Sequence, residues 1–307
     1  MPIYLDRDLP RHNSLDASAA RCIDIGLINN MPDGALKATE HQFIRLLDAV
    51  ADGVAVRLIF YALPEVPRSD GARRHIDSFY SSIHSLWNRG LDGLIMTGCE
   101  PHARNLQDEP YWASMTRVID WAEHHTHSAI WSCLAAHAAV LHCDGIQRRR
   151  LSEKCAGVFE CTQVTDHPLL AGFNSPVAMP HSRWNDLAED ELTACGYRVL
   201  TRAEGVGADM FVKQRNSLFV FFQGHPEYEA NTLVHEYGRD LKRYLRGQSD
   251  TRPEMPQGCS NPSDPWRSAA THIYRNWLMY LCASKDELLG KRPQRESMVL
   301  HQAAGAD

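Results

Sequence analysis

The chain has 307 residues, 44% of them hydrophobic and 23% charged, with a formal net charge of −6. That composition belongs to a globular protein with a core of its own, and the acidic balance points away from nucleic-acid and anionic-membrane partners. No run approaches the ~18 apolar residues of a membrane span, and Met1-Pro2-Ile3-Tyr4-Leu5-Asp6 lacks the apolar stretch of a secretory leader. The nine cysteines are scattered without a Cys-x-x-Cys pair. That fits free thiols in a reducing cytoplasm and speaks against a zinc–thiolate centre.

Residues 1–20 are polar and read as an N-terminal arm, loosely held. Cys22 to Ile28 is an apolar strand running into the turn-rich Asn29-Asn30-Met31-Pro32-Asp33-Gly34. Thr39, Phe43, Ile44, Leu46, Leu47 and Val50 then recur at helical spacing. Val54 to Tyr61 is β-rich, residues 75–89 read as a helix, and Leu91 to Gly98 is a short buried strand ending in a glycine turn. A helix over 110–125 carries Trp112, Met115, Val118, Ile119 and Ala122 on one side. Ala129 to Ser132 is another strand, followed at once by a helix over 134–143.

Further on, Phe211-Val212 and Ser217 to Phe222 pair as a hairpin, residues 230–245 form a helix, 248–266 a loop, and Trp266 to Leu281 a last helix. The chain beyond about Ser284 is polar. Short apolar strands alternating with amphipathic helices predict an α/β fold, a mostly parallel sheet flanked by helices. The predicted organisation is an arm over 1–20, a single catalytic domain over 21–284 and a flexible tail over 285–307.

Two strand ends carry the chemistry. At the first, Ile130-Trp131-Ser132 ends, Cys133 occupies the corner, and Leu134-Ala135-Ala136-His137-Ala138-Ala139 begins a helix. Such an elbow aims a nucleophile out of the sheet. The helix N-terminus favours a thiolate and supplies N–H groups to an oxyanion. Cys133 alone would read more readily as a small buried thiol. At the second end, the strand closing on Phe222-Gln223-Gly224 is followed by His225-Pro226-Glu227. A carboxylate two residues on can orient the imidazole and raise its basicity, the part played by the third member of a nucleophile–base–acid triad.

These two ends, taken in order with other segments, resemble the homoserine O-acyltransferase family, within the class I glutamine amidotransferase-like fold (flavodoxin-like, three layers). The other segments are Asn29-Asn30-Met31-Pro32, Gly93 to Gly98, Ser152 to Phe159, Pro180-His181-Ser182-Arg183-Trp184, Glu236 with Arg239-Asp240, and Asn276-Trp277-Leu278. The resemblance implies transfer of a succinyl or acetyl group from acyl-coenzyme A to the hydroxyl of homoserine, in methionine synthesis, by a ping-pong route through a thioester on Cys133. It implies His225 and Glu227 as catalytic partners, with Lys154, Ser182 and Arg239 contacting substrate. It also implies acyl-CoA as a co-substrate with no tightly bound cofactor, and a homodimer. A guanidinium suits bidentate capture of an α-carboxylate.

The departures leave two choices open. The family position that selects the acyl group falls on His102, neither small as for succinyl nor acidic as for acetyl; a histidine tolerates a succinyl carboxylate better than a glutamate would. The loops over 33–37 and 99–102 differ from the family pattern, and Lys37 is displaced, so serine remains open as an acceptor. A glutaminase or hydrolase on the same fold is the other alternative. It is disfavoured because Leu134 and Ala136-His137 stand where glutaminases of this fold carry Gly and Gln. His124-His125-x-His127 reads as a helix terminus, and Arg148-Arg149-Arg150 reads as a solvated basic loop, with contact to coenzyme A phosphates as the alternative; no metal is expected.

Overall fold

Parallel strands need crossover connections, and the helices of this chain supply them. The computed structural model describes residues 3–5, 22–173, 175–259 and 264–290. In chain order the elements are β1 (Ile3–Leu5), β2 (Cys22–Ile28), α1 (Asp33–Val50), β3 (Ala55–Tyr61), α2 (Asp70–Phe79), α3 (Ile83–Leu86), β4 (Gly93–Met96), α4 (Trp112–His125) and β5 (Ser128–Ser132). There follow α5 (Leu134–Asp144), β6 (Arg149–Gln163), β7 (Val177–Asp186), α6 (Glu189–Ala194), β8 (Arg198–Ala203), β9 (Gly207–Gln214), β10 (Leu218–Phe222), α7 (Thr232–Leu245) and α8 (Arg267–Gly290).

The described strands form one sheet in the order β1-β3-β2-β4-β5-β10-β9-β8-β6-β7. From β1 through β10 every neighbouring pair is parallel. From β10 through β7 every pair is antiparallel. The strand period of two divides the side chains between two cores. Ala129 and Trp131 of β5, with Phe219 and Phe221 of β10, pack against α4 and α5. Ile130, Val220 and Phe222 face the other way, against α1 and α8. Both faces of the parallel half are therefore covered, which is why its strands read as continuous apolar runs.

The helix expected over 75–89 is broken. α2 begins earlier, capped by Ser69, whose hydroxyl accepts from Ala72 N. It stops at Tyr80, which is extended. The Tyr80 hydroxyl donates to Glu40 at 2.7 Å and accepts from Asn29 at 3.0 Å, so this buried tether pulls the chain off the helical path before Ser82 caps the short α3. The arm was expected to be loose, yet Ile3–Leu5 pairs with β3; the rest of it lies outside the described residues. The tail expected from residue 285 is helical to Gly290. There Lys285 donates to Asp92 at 2.7 Å and to the Cys22 carbonyl at 2.8 Å; residues 291–307 lie outside the described residues. The loop expected over 248–266 is present at 248–259 and 264–266, with 260–263 outside the described residues, and the 211–222 hairpin is present, with Leu218 opposite Gln214.

Candidate active site

β5 and β10 are parallel neighbours, with Ser132 opposite Phe222. The ladder extends one step beyond the strands, where Cys133 N donates to the Phe222 carbonyl at 2.8 Å. Cys133 and His225 therefore leave adjacent strands on the same, carboxyl end of the sheet, where α/β folds bind ligands. Cys133 is the N-cap of α5 with φ 52° and ψ −111°, and it is the single described non-glycine residue with positive φ. A side chain held there is strained, and such strain collects at functional positions. The elbow read from the sequence is thus present.

His225 is buried, and its Nδ1 lies 2.9 Å from Glu227 Oε1. Its Nε2 is also buried and holds no hydrogen-bond partner of its own, with Cys133 close enough to act on the ring. Burial opposes the imidazolium, but the charges of Glu227 and Cys133 outweigh it and hold the pKa well above the ordinary histidine value. The Tyr228 ring lies on the imidazole, with centroids 4.2 Å apart and planes 15° apart. Cys99 shares the cleft, but burial pushes its thiol up to about 12.

Gly224 fixes the approach of the histidine turn. A Cβ there would meet Asp209 Oδ1 at 2.5 Å, Met179 at 2.8 Å and His181 Nε2 at 3.0 Å. Gly224→Ala is expected to cost about 1–3 kcal/mol of stability by overpacking, measured by urea unfolding. A variant as stable as the wild type would show that this layer yields freely.

The two strand ends open into a cleft of about 880 Å³. Lys154 of β6 and Arg239 of α7 both line it and share one carboxylate, Asp240, at 2.7 and 2.8 Å. Ser182 of β7 donates to Glu236, which also accepts from the Tyr228 hydroxyl at 2.9 Å. Arg243 holds Glu100 through two bonds of 2.6 and 2.9 Å, tying α7 to the turn after β4. Cys133, His225, Glu227, Lys154, Ser182 and Arg239 are thus gathered around one cavity. His102 is not: its side chain is exposed and outside the lining, while its backbone N–H is held by Glu109 at 2.6 Å. Lys37 is exposed on α1, also outside the lining.

Glu100, Arg243, Tyr228 and His137 are cleft residues to which the sequence reading gave no role. Glu100 and Arg243 are partners far apart in sequence, as are His137 and Gln223, so no local pattern announced them, whereas Tyr228 is three residues from His225 and could have been found there. His137 is fully buried and drawn down to about 3 by that burial, so it is neutral, with Nε2 3.0 Å from Gln223 Oε1.

The three histidines at 124–127 do not converge. His125 bonds the Trp121 carbonyl and His127 lies 3.7 Å from Asp92. Among the described residues one other trio, buried Cys161, His181 and Asp209, has ligand-type atoms within 4.8 Å of one another. Asp209 there already accepts from Thr201 at 2.8 Å. No described helix is long and apolar enough to cross a membrane.

Among solved structures, a glutamine amidotransferase from Methylobacillus flagellatus superposes with TM-score 0.55 at 15% identity, covering 85% of this chain and 95% of that one. Another from Thermotoga maritima gives 0.51 at 12%, covering 86% and 98%. Likeness at this identity establishes the shared architecture. In sequence, the chain is 56% identical over 240 residues to a homoserine O-succinyltransferase of Rhodopseudomonas palustris, covering 78% of this chain and 72% of that protein. It is 50% identical over 236 residues to one of Bradyrhizobium japonicum, covering 76% and 73%. The family model described as homoserine O-succinyltransferase matches residues 11–288, and by that match and those identities the chain belongs to the homoserine O-succinyltransferase family.

Proposed function

We propose that this enzyme moves a succinyl group from succinyl-coenzyme A to the hydroxyl of homoserine through a thioester on Cys133, serving methionine synthesis in the cytoplasm. The observation that carries the reading is the buried His225–Glu227 pair beside a strained Cys133, at the mouth of a cleft rich in charge.

In the first half, the Cys133 thiolate attacks the carbonyl carbon of the donor thioester. First-turn amides of α5 face the developing oxyanion. Gly98 leaves room there, because a Cβ on it would stand 3.0 Å from Leu134 N. The carbon–sulfur bond to coenzyme A breaks, and the leaving thiolate takes the proton held on His225. In the second half His225 withdraws the proton of the acceptor hydroxyl, whose oxygen attacks the acyl carbon, and Cys133 leaves as thiolate. Glu227 keeps the imidazole in one tautomer through both halves.

The acceptor's two charges find complementary groups on α7. Arg239 suits its carboxylate and Glu236, braced by Ser182 and Tyr228, suits its ammonium. Asp240 holds Lys154 and Arg239 in place until substrate arrives.

The test is intact-protein mass after mixing with succinyl-CoA or acetyl-CoA, followed by homoserine or serine. The expected result is a succinyl-sized gain that homoserine discharges. No gain from either donor sinks the acyltransferase reading. Discharge by serine alone, or an acetyl gain alone, replaces the acceptor or the donor named here.

A further inference from the structure

The basic run Arg148-Arg149-Arg150 does not act as one patch. Arg149 is exposed and paired with Glu191 at 2.5 Å. Arg150 is exposed and lies over the Trp184 ring at 4.2 Å. Arg148 is half-buried and lines the cleft.

The other cations of the cleft are mostly occupied. Lys154 and Arg239 share Asp240, Arg243 holds Glu100, and Arg183 holds Asp186 at 2.8 Å. Arg150 and Arg252 are exposed. Arg148 differs from all of these. Among the described residues no carboxylate stands within ion-pair distance of it; its Nη1 is buried with no hydrogen-bond partner, and its Nη2 makes one long bond, 3.4 Å, to the Arg104 carbonyl. A buried guanidinium N–H without a partner is costly, so this group is one that a ligand would complete.

Its position narrows the ligand. Arg148 lies within electrostatic reach of Cys133, and of Glu109 and Tyr111 as well. Glu109 Oε1 accepts from His102 N and Ala103 N at 2.6 Å each, while its Oε2 is buried without a hydrogen-bond partner among the described residues and stands outside ion-pair distance of Arg148. The acceptor's groups sit elsewhere, on β7 and α7. A four-carbon acyl chain on Cys133 is short, so a counter-ion for its far end must stand near the nucleophile but away from the acceptor.

Resting on the acyltransferase reading above, we propose that Arg148 is the donor-selecting residue, pairing with the terminal carboxylate of a dicarboxylic acyl group carried on Cys133. The carboxylate completes the hydrogen bonding of the guanidinium, and an uncharged acyl group leaves it incomplete. Selectivity at this end then comes from Arg148 and not from the exposed His102.

The experiment compares succinyl-CoA with butyryl-CoA, a donor of the same chain length without the charge. The rate of Cys133 acylation is followed by intact mass in wild type, Arg148→Met and Arg148→Lys. Hydrogen bonds to charged groups are worth about 1.5–3 kcal/mol, so Arg148→Met is expected to lower the succinyl rate roughly 10- to 150-fold relative to the butyryl rate. Arg148→Lys retains part of the preference. Equal losses with both donors would mean that Arg148 meets the coenzyme or supports the loop, and would overturn the proposal. An unchanged ratio overturns it as well. A wild type that takes neither acyl group overturns the acyltransferase reading itself and this proposal with it, whereas a wild type that takes succinyl isolates the failure to Arg148.

Discussion

Alanine at position 133 is expected to leave a folded protein that carries no acyl group and transfers none. Removing the nucleophile of a triad costs on the order of 10⁶ in turnover, and here no other cleft thiol substitutes: burial holds the thiols of Cys99 and Cys155 above their ordinary range. The strain at this residue gives a second, opposite reading. With φ at 52°, glycine should relieve what any side chain must bear, about 1–2 kcal/mol. Cys133→Gly should therefore be as inactive as Cys133→Ala but more stable in urea. Turnover surviving in either variant would place the nucleophile elsewhere. Equal stability of the two would deny that the elbow stores strain.

The second large effect lies at Glu227. Its charge is the leading influence raising the pKa of His225 against burial, with Cys133 adding to it. In Glu227→Gln, burial gains the upper hand and the imidazolium is lost at lower pH. The alkaline limb of the acylation rate, which follows that proton, should move to lower pH. The rate at neutral pH should fall by roughly 10²–10⁴ as charge and tautomer control are lost together. Stability should move in the same sense. A histidine whose folded pKa is raised contributes stability that is fully present below its unfolded pKa of about 6.5. That stability is lost as pH rises through the folded value. The variant should therefore lose most of its stability relative to wild type on the acid side of that window. Acylation rates measured across pH, with urea unfolding at two pH values, check both arms; a limb that stays where it was contradicts the role given to Glu227.

The legible parts of the molecule were the local ones. The end of β2 over residues 25–28, the strand into the Cys133 elbow and the strand into His225 are buried on both faces, so each prints an apolar run next to its chemistry. Residues 149–203 gave no such signal. β6 is half-exposed along most of its length, and its Arg, Glu, Lys and Thr residues break up any apolar run. Its pairing with β7 also shifts register between Arg150 and Cys155. The break at Tyr80 was hidden because it depends on Glu40 and Asn29, partners far away in sequence. The separate fates of Arg148, Arg149 and Arg150 were hidden for the same reason. Three identical side chains diverge only once Glu191, Trp184 and the cleft are in place. His102 shows the limit of counting along the chain, since the turn before Glu109 lifts it out of the cavity it was expected to line.

The backbone bond from Cys133 N to the Phe222 carbonyl sets the two strand ends that lead to Cys133 and His225 one ladder step apart, as neighbouring strands always are. Their spacing is thus quantised. A slip of β10 by one residue turns its buried side chains to the other face and leaves no intermediate arrangement. Activity at this site is expected to be a digital quantity, present in full in each correctly threaded molecule and absent from the rest. The specific activity of a preparation then counts its correctly registered chains, and loss on storage should appear as fewer working molecules with an unchanged KM.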